Sequence, residues 1–250
     1  LFVFAQEKKY KDYEQFSRHI FEGKTLKTPY RLLVPKDFDT LNFSKKNKKY
    51  PLILFLHGAG ERGDNNLVPL THFAPYILDS TKREKYPCFV LIPQCPKEKK
   101  WVETDWKLLR HKQPKEISDV LKNVLEIMNL LEKKYPIDTK RIYIIGLSMG
   151  GFGVWDLVTR MPKKFAAAVP VCGGGDENVA HTLKNLPIWA FHGKLDAVVK
   201  VSRTQNMIET IKKAGGNPKY TEYPEVQHDS WKYAYKEEEM WKWLFEQKRR

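Results

Sequence analysis

The stretch RIYIIGLSMGGFGVW, Arg141–Trp155, sets one serine between glycines directly after a run of β-branched and aromatic residues. "RIYII" reads as a buried strand, and "GFGVWDLVTRM" after it as a helix. Gly146-Leu147-Ser148-Met149-Gly150 between them fits G-x-S-x-G, the pattern of a tight strand-to-helix turn that exposes a serine hydroxyl. Glycines two residues either side of Ser148 leave room where a side chain would clash. No lysine follows the glycines, so a phosphate-binding loop is excluded. One such unit predicts an α/β domain with its chemistry at the carboxyl ends of the strands.

Working outward, the same design repeats. "YPLILFLHGAG" (Tyr50–Gly60), "CFVLIPQ", "FAAAVPVCGG" and "LPIWAFHG" are short apolar runs that end in small or polar residues. Continuous rather than alternating apolar runs imply a mostly parallel sheet covered on both faces. "YRLLVP" (Tyr30–Pro35) alternates and ends at proline, which predicts an edge strand, and "KYTEYP" (Lys219–Pro224) is a more polar strand. "PKEISDVLKNVLEIMNLLEKKYP" (Pro114–Pro136) carries Ile117, Leu121, Val124, Leu125, Met128 and Leu131 at helical spacing. "VSRTQNMIETIKKAGG" predicts a helix stopped by Gly215-Gly216, and "EEEMWKWLFEQ" a last one docking Met240, Trp241, Leu244 and Phe245 on the sheet.

At 250 residues the chain suits one large α/β domain over residues 6–250, and no composition shift marks a second. "LFVFA" at residues 1–5, followed by polar Gln6-Glu7-Lys8-Lys9, reads as the tail of a signal peptide, which predicts a secreted or periplasmic protein. No apolar run of membrane-spanning length follows. The net charge is +14, but the lysines are spread along the chain. Their densest run, Lys45-Lys46-Asn47-Lys48-Lys49, matches no nucleic-acid motif, so no nucleic-acid partner is expected. Cys88, Cys95 and Cys172 form no CxxC pair. A strand between Cys88 and Cys95 would hold them roughly 20 Å apart, so buried thiols are expected, and no metal or cofactor.

A serine needs a base that is itself oriented by an acid. With a G-x-S-x-G turn the chain order is Ser, then Asp or Glu, then His. His181, His192 and His228 follow Ser148. "WAFHGKLDAVV" supplies Asp196 just past a strand end, which leaves His228, in "YPEVQHDSW", as the base. Asp176, in "CGGGDEN", is the alternative acid. Asp156 sits within the helix after the serine, Asp229 is a surface neighbour, and His57 and His192 read as strand-end structural histidines. Donors to an oxyanion would be the backbone N–H groups of Met149 and of Ala59, with Gly60 the second choice for the latter. Gln94, Trp101 and Trp231 lie near strand ends as candidate substrate contacts. Glu61 and Arg62 read as an ion pair shaping the loop after "LILFLHG".

The segments "FLHGAGERGDN", "IPQCP" with "WV" shortly after, "RIYIIGLSMGGFGVWDL", "FAAAVPVCGGGD", "PIWAFHGKLDAVV" and "EYPEVQHDSW" resemble α/β-hydrolase serine esterases of the polyhydroxybutyrate-depolymerase, feruloyl-esterase and phospholipase/carboxylesterase type. Some members of that group are catalogued as predicted peptidases. The likeness runs in order from about Tyr30 to the C terminus. It implies the α/β-hydrolase fold, Ser148, Asp196 and His228 as the triad, and an oxyanion loop at Ala59. It also implies hydrolysis of small or aromatic esters, such as acetyl or feruloyl groups on plant polysaccharide. A serine peptidase and a catalytically silent carbohydrate-binding module are the competing expectations.

Overall fold

The computed structural model describes residues 12–39 and 48–249. The leader-like residues 1–5 and the first part of the lysine run, Lys45 and Lys46, lie outside the described residues.

Among the described residues, eight strands form one sheet in the order β1-β2-β4-β3-β5-β6-β7-β8. They are β1 (Ser17–Glu22), β2 (Lys27–Leu33), β3 (Tyr50–Leu56), β4 (Phe89–Pro93), β5 (Ile137–Leu147), β6 (Ala167–Val171), β7 (Trp189–Gly193) and β8 (Lys219–Tyr223). From β4 to β8 neighbouring strands run parallel, whereas β1–β2 and β2–β4 are antiparallel. Helices among the described residues include α1 (Ala74–Ile77), α2 (Ser80–Lys85), α3 (Asp119–Lys134), α4 (Met149–Arg160), α5 (Ser202–Lys213), α6 (Trp231–Ala234) and α7 (Glu238–Glu246). This is the α/β-hydrolase architecture expected from the sequence.

Alternate residues of a strand face opposite sides of the sheet, so a strand covered on both faces is apolar throughout. Every residue of β3 is buried accordingly. Leu52, Leu54 and Leu56 join Ile142 and Ile144 on one face, under Val120, Leu121, Val124 and Met128 of α3 and Val154 and Trp155 of α4. Ile53 and Phe55 join Tyr143 and Ile145 on the other, under Phe73, Ile77, Met240, Trp241 and Leu244. Each fully buried side chain of this size contributes about 2–3 kcal/mol relative to exposure.

Two elements differ from the sequence reading. The Tyr30–Pro35 strand is β2, one place in from the edge, because β1 pairs outside it with Ile20 opposite Pro29. β1 carries no apolar run, since most of its residues face solvent. The helix predicted from Pro114 starts at Asp119: the Ser118 hydroxyl caps it, accepting from the Leu121 N–H at 3.2 Å. Pro114 and Lys115 stay outside, their carbonyls taken by Arg160.

The tightest junction joins α4 to the ends of β3 and β5. A Cβ on Gly150 would overlap the Leu56 carbonyl oxygen, and one on Gly146 would come within 2.5 Å of the Gly150 carbonyl oxygen. Gly60, in contrast, has open space at that position. Gly150→Ala should therefore cost more than about 3 kcal/mol of stability, seen as a large fall in thermal midpoint or loss of folded protein. Gly60→Ala should unfold within a few degrees of wild type in the same melt.

Candidate active site

Ser148 lies between β5 and α4 with φ 52° and ψ −118°. Such a backbone costs on the order of 1–3 kcal/mol and persists only where its surroundings hold it. Here the Ser148 N–H donates to the Val171 carbonyl at 2.9 Å, and its own carbonyl accepts from Phe152 N–H at 3.1 Å, opening α4. The side chain is thereby pushed out at the strand ends. Met149 is the first residue of α4, where the backbone N–H has no intrahelical acceptor.

Asp196 follows β7 in a turn closed by its own N–H to the Gly193 carbonyl at 3.2 Å. His228 arrives from the loop after β8. That loop can cross β7 because a Cβ on Gly193 would overlap the carbonyl oxygens of Val226 and Gln227. The Leu195 N–H to Val226 carbonyl bond, 3.0 Å, fixes the crossing. As a result His228 Nε2 is 2.9 Å from Ser148 Oγ, and His228 Nδ1 is 2.7 Å from Asp196 Oδ2. The structure thus brings Ser148, His228 and Asp196 into one hydrogen-bonded row.

The Asp196 carboxylate is sealed from solvent, while the His228 side chain keeps 21% of its exposure. Oδ1 accepts from the N–H groups of Val198 at 2.8 Å and Val199 at 2.9 Å. Burial alone would raise its pKa. Hydrogen bonds from His192 and His228, the His228 charge and the Val199 amide outweigh that and hold Asp196 far below the ordinary carboxylate range. A carboxylate that stays ionised suits the work of orienting an imidazole. Asp176 is engaged elsewhere: Oδ2 accepts from Gln113 N–H at 2.8 Å and Oδ1 from Asn178, both backbone and side chain. Asp156 pairs with Arg160, and Asp229 with Lys232.

Ala59 opens a 3-10 turn, Ala59–Glu61, directly after β3. Glu61 reaches back to the Gly58 amide in the manner of a capping box and meets His72 Nε2 at 3.3 Å. Arg62 does not pair with Glu61 as the sequence suggested; its Nε donates to the Ala59 carbonyl at 2.9 Å. Beneath, the buried His57 ring donates from Nδ1 to the Gly58 carbonyl at 2.7 Å and accepts the Cys95 N–H at Nε2, 3.0 Å. Burial pushes the His57 pKa down to about 4, so this ring is neutral near pH 7 and acts as a fixed strut.

Two predicted substrate contacts belong to the same support. Gln94 and Trp101 are fully buried, and their polar atoms bond to the chain itself. Gln94 Oε1 accepts the Asn66 N–H at 2.6 Å, and its Nε2 donates to the Glu61 carbonyl at 3.1 Å. Trp101 Nε1 donates to the His57 carbonyl at 2.9 Å. Their strand-end positions were legible, and their side chains turn inward onto the loop after β3. Trp231 is half-buried at the site, its ring edge-on to His228 at 5.6 Å and tilted against His72 at 5.3 Å.

The segment 105–113 flanks the far side. Arg203, buried, donates to the carbonyls of Leu108 at 2.6 Å and Gly175 at 3.3 Å and meets His111 Nδ1. It leaves Leu108 and Leu109 exposed. Leu195 and Val198, either side of Asp196 in sequence, are exposed too. A cleft of about 380 Å³ runs between Leu109, Leu195 and Val201, with Lys194 and Lys200 at its border.

Cys172 Sγ lies within 4.8 Å of ligand atoms of Asp196 and His228. The Asp196 oxygens already accept four N–H donors, and burial raises the Cys172 thiol well beyond its ordinary range. The trio is therefore poorly suited to hold a cation. Cys88, Cys95 and Cys172 are all buried free thiols.

These positions separate the two candidate acids. Asp196→Ala should lower kcat on an ester by about 10⁴-fold, and Asp176→Ala by less than about fivefold, in steady-state assays of folded proteins.

Comparison with known proteins agrees with the geometry's class. A 37%-identical solved structure, described as a thermostable esterase, superposes with a TM-score of 0.86 over 96% of this chain. A solved ferulic acid esterase shares the fold at 18% identity, with a TM-score of 0.64 over 88% of this chain and 93% of its own. A bifunctional acetylxylan esterase/xylanase of Neocallimastix patriciarum is 29% identical over 89 residues, 36% of this chain. The chain spans 13% of that curated relative and 64% of the thermostable esterase. The phospholipase/carboxylesterase family model matches residues 42–237, most of the chain and every segment that builds the site, and the chain belongs to that family.

Proposed function

We propose that the protein is a serine carboxylesterase working through an acyl-enzyme. The observation that carries this reading is the row of Ser148 Oγ, His228 Nε2 and Nδ1, and Asp196 Oδ2, with spacings of 2.9 and 2.7 Å, at the N-terminus of α4. Ser148 Oγ attacks the ester carbonyl as His228 Nε2 takes its proton. The oxyanion is held by the N–H groups of Met149 and Ala59. Collapse expels the alcohol, which receives the proton back from His228. Water then repeats the sequence on the acyl-enzyme, releasing the acid and free Ser148.

The substrates are acetyl or feruloyl esters borne on plant polysaccharide, hydrolysed outside the cell. The acetylxylan esterase and ferulic acid esterase relatives support this choice. The exposed Leu109 and Leu195, which line the cleft beside Asp196, suit an aromatic or short acyl group better than a fully polar one.

The test compares wild type with Ser148→Ala on p-nitrophenyl acetate, methyl ferulate, acetylated xylan and a peptide anilide. Wild type should cleave the esters, and the variant should lose about 10⁶-fold in kcat. Equal rates for both proteins would overturn the serine mechanism. Cleavage of the anilide alone would assign a peptidase instead.

A further inference from the structure

His192, the penultimate residue of β7, is completely buried. Its Nε2 lies 3.1 Å from Asp196 Oδ2 and 2.9 Å from the Val199 carbonyl oxygen. Both are acceptors, so this nitrogen carries a proton. Nδ1 faces the Thr204 hydroxyl of α5 at 2.8 Å, and that hydroxyl also lies 3.0 Å from the Gly173 carbonyl. The single hydroxyl hydrogen of Thr204 is donated to that carbonyl, so the hydroxyl turns a lone pair toward the ring. Asp196 Oδ2 therefore serves two histidines: His228, at the reacting serine, and His192, sealed beneath.

We propose that His192 is a positioning residue for ester hydrolysis, donating through Nε2 to Asp196 Oδ2 so that this oxygen presents a fixed lone pair to His228 Nδ1. The inference rests on the serine-esterase reading above. The two valine amides grip Oδ1, but the terminal torsion of an aspartate is soft, and Oδ2 can still swing. His192 removes that freedom from the side opposite His228. It also draws charge from the oxygen that stabilises protonated His228. Without this donor the carboxylate holds more charge for His228, whose protonated form is then favoured.

Other charged or titratable groups surround the pair. Asp229 adjoins His228 but is paired with Lys232 at 2.7 Å. Cys172 approaches from the end of β6 and is kept neutral by burial. Glu222 on β8 faces the His192 side and accepts from Gln205 and Tyr220. Beyond the Trp231 ring stand His72 and Glu61. Glu222 feels the charge of His192, but its hydrogen bonds to Gln205 and Tyr220 do not involve residue 192, nor does the Asp229–Lys232 pair.

The experiment measures kcat, KM and the pH profile of kcat/KM on p-nitrophenyl acetate for wild type, His192→Phe, His192→Gln and His192→Asn, with Ser148→Ala alongside. Folding of each is checked by circular dichroism. His192→Phe should lose about 10- to 100-fold in kcat with KM little changed. Its acidic limb should move about half a pH unit upward. His192→Gln, whose amide nitrogen reaches the place of Nε2, should recover both. A folded His192→Phe with the wild-type rate and limb overturns the proposal, as does a loss of rate with the limb unmoved. If the phenylalanine variant does not fold, the amides decide. Asparagine, too short to reach Asp196, should shift the limb and glutamine should not; identical profiles overturn the proposal. Activity surviving in Ser148→Ala would instead sink the serine mechanism itself.

Discussion

The close passage of Gly150 over the end of β3 is the contact on which the molecule depends. With only a hydrogen where a Cβ would overlap the Leu56 carbonyl, α4 starts hard against the sheet. That position leaves a single residue, Ser148, to reverse the chain, and its positive φ is the geometric consequence. The same approach sets the loop after β3 beside the first turn of α4. The amides of Ala59 and Met149 therefore come from two elements already locked together. A serine on a looser turn would need both amides to be positioned separately. Here the packing of one helix sets both the turn at Ser148 and the path of the chain just after β3.

A second constraint governs the acid. Asp196 is a fully buried charge, and burying a charge is costly unless donors replace the water it loses. Four N–H groups do so: two from the backbone that follows it and one from each of two histidines. The carboxylate is thus solvated by the protein and stays ionised. Its side chain is sealed from solvent, and His228 shares the oxygen it uses with His192. The arrangement also explains why β7 ends in His-Gly. The histidine lies under the carboxylate, and the glycine lets the His228 loop pass overhead.

Much of this was legible in the sequence. Continuous apolar runs gave the parallel strands, because a strand covered on both faces admits no polar alternation. Chain order gave Asp196 and His228, because loops at the strand ends can meet only on that side of the sheet. β1 was not legible, since an outer strand with mostly exposed side chains has no apolar signature. One sequence does not record which way a strand-end side chain turns, so the inward turn of Gln94 and Trp101, which braces the Ala59 loop, was not legible. The start of α3 was misjudged because a proline is a permissive first residue of a helix, whereas the Ser118 cap four positions later supplies the acceptor that the helix needs. The spacing Gly58-x-x-Glu61 and the four-residue step from His192 to Asp196 were signals available to be read and carry the two supporting networks.

The staple that holds the 105–113 segment has a different significance for how such a protein diversifies. Arg203 and Arg160 fasten the chain from Leu108 to Lys115 largely through main-chain carbonyls, those of Leu108, Pro114 and Lys115. Carbonyls are the same whatever side chain they carry. The outward residues of that segment can therefore be exchanged over generations while its path, and the row of groups beside it, stay where they are. The path of the segment thus rests on its backbone, and its exposed side chains, Leu108 and Leu109 among them, are free of that duty.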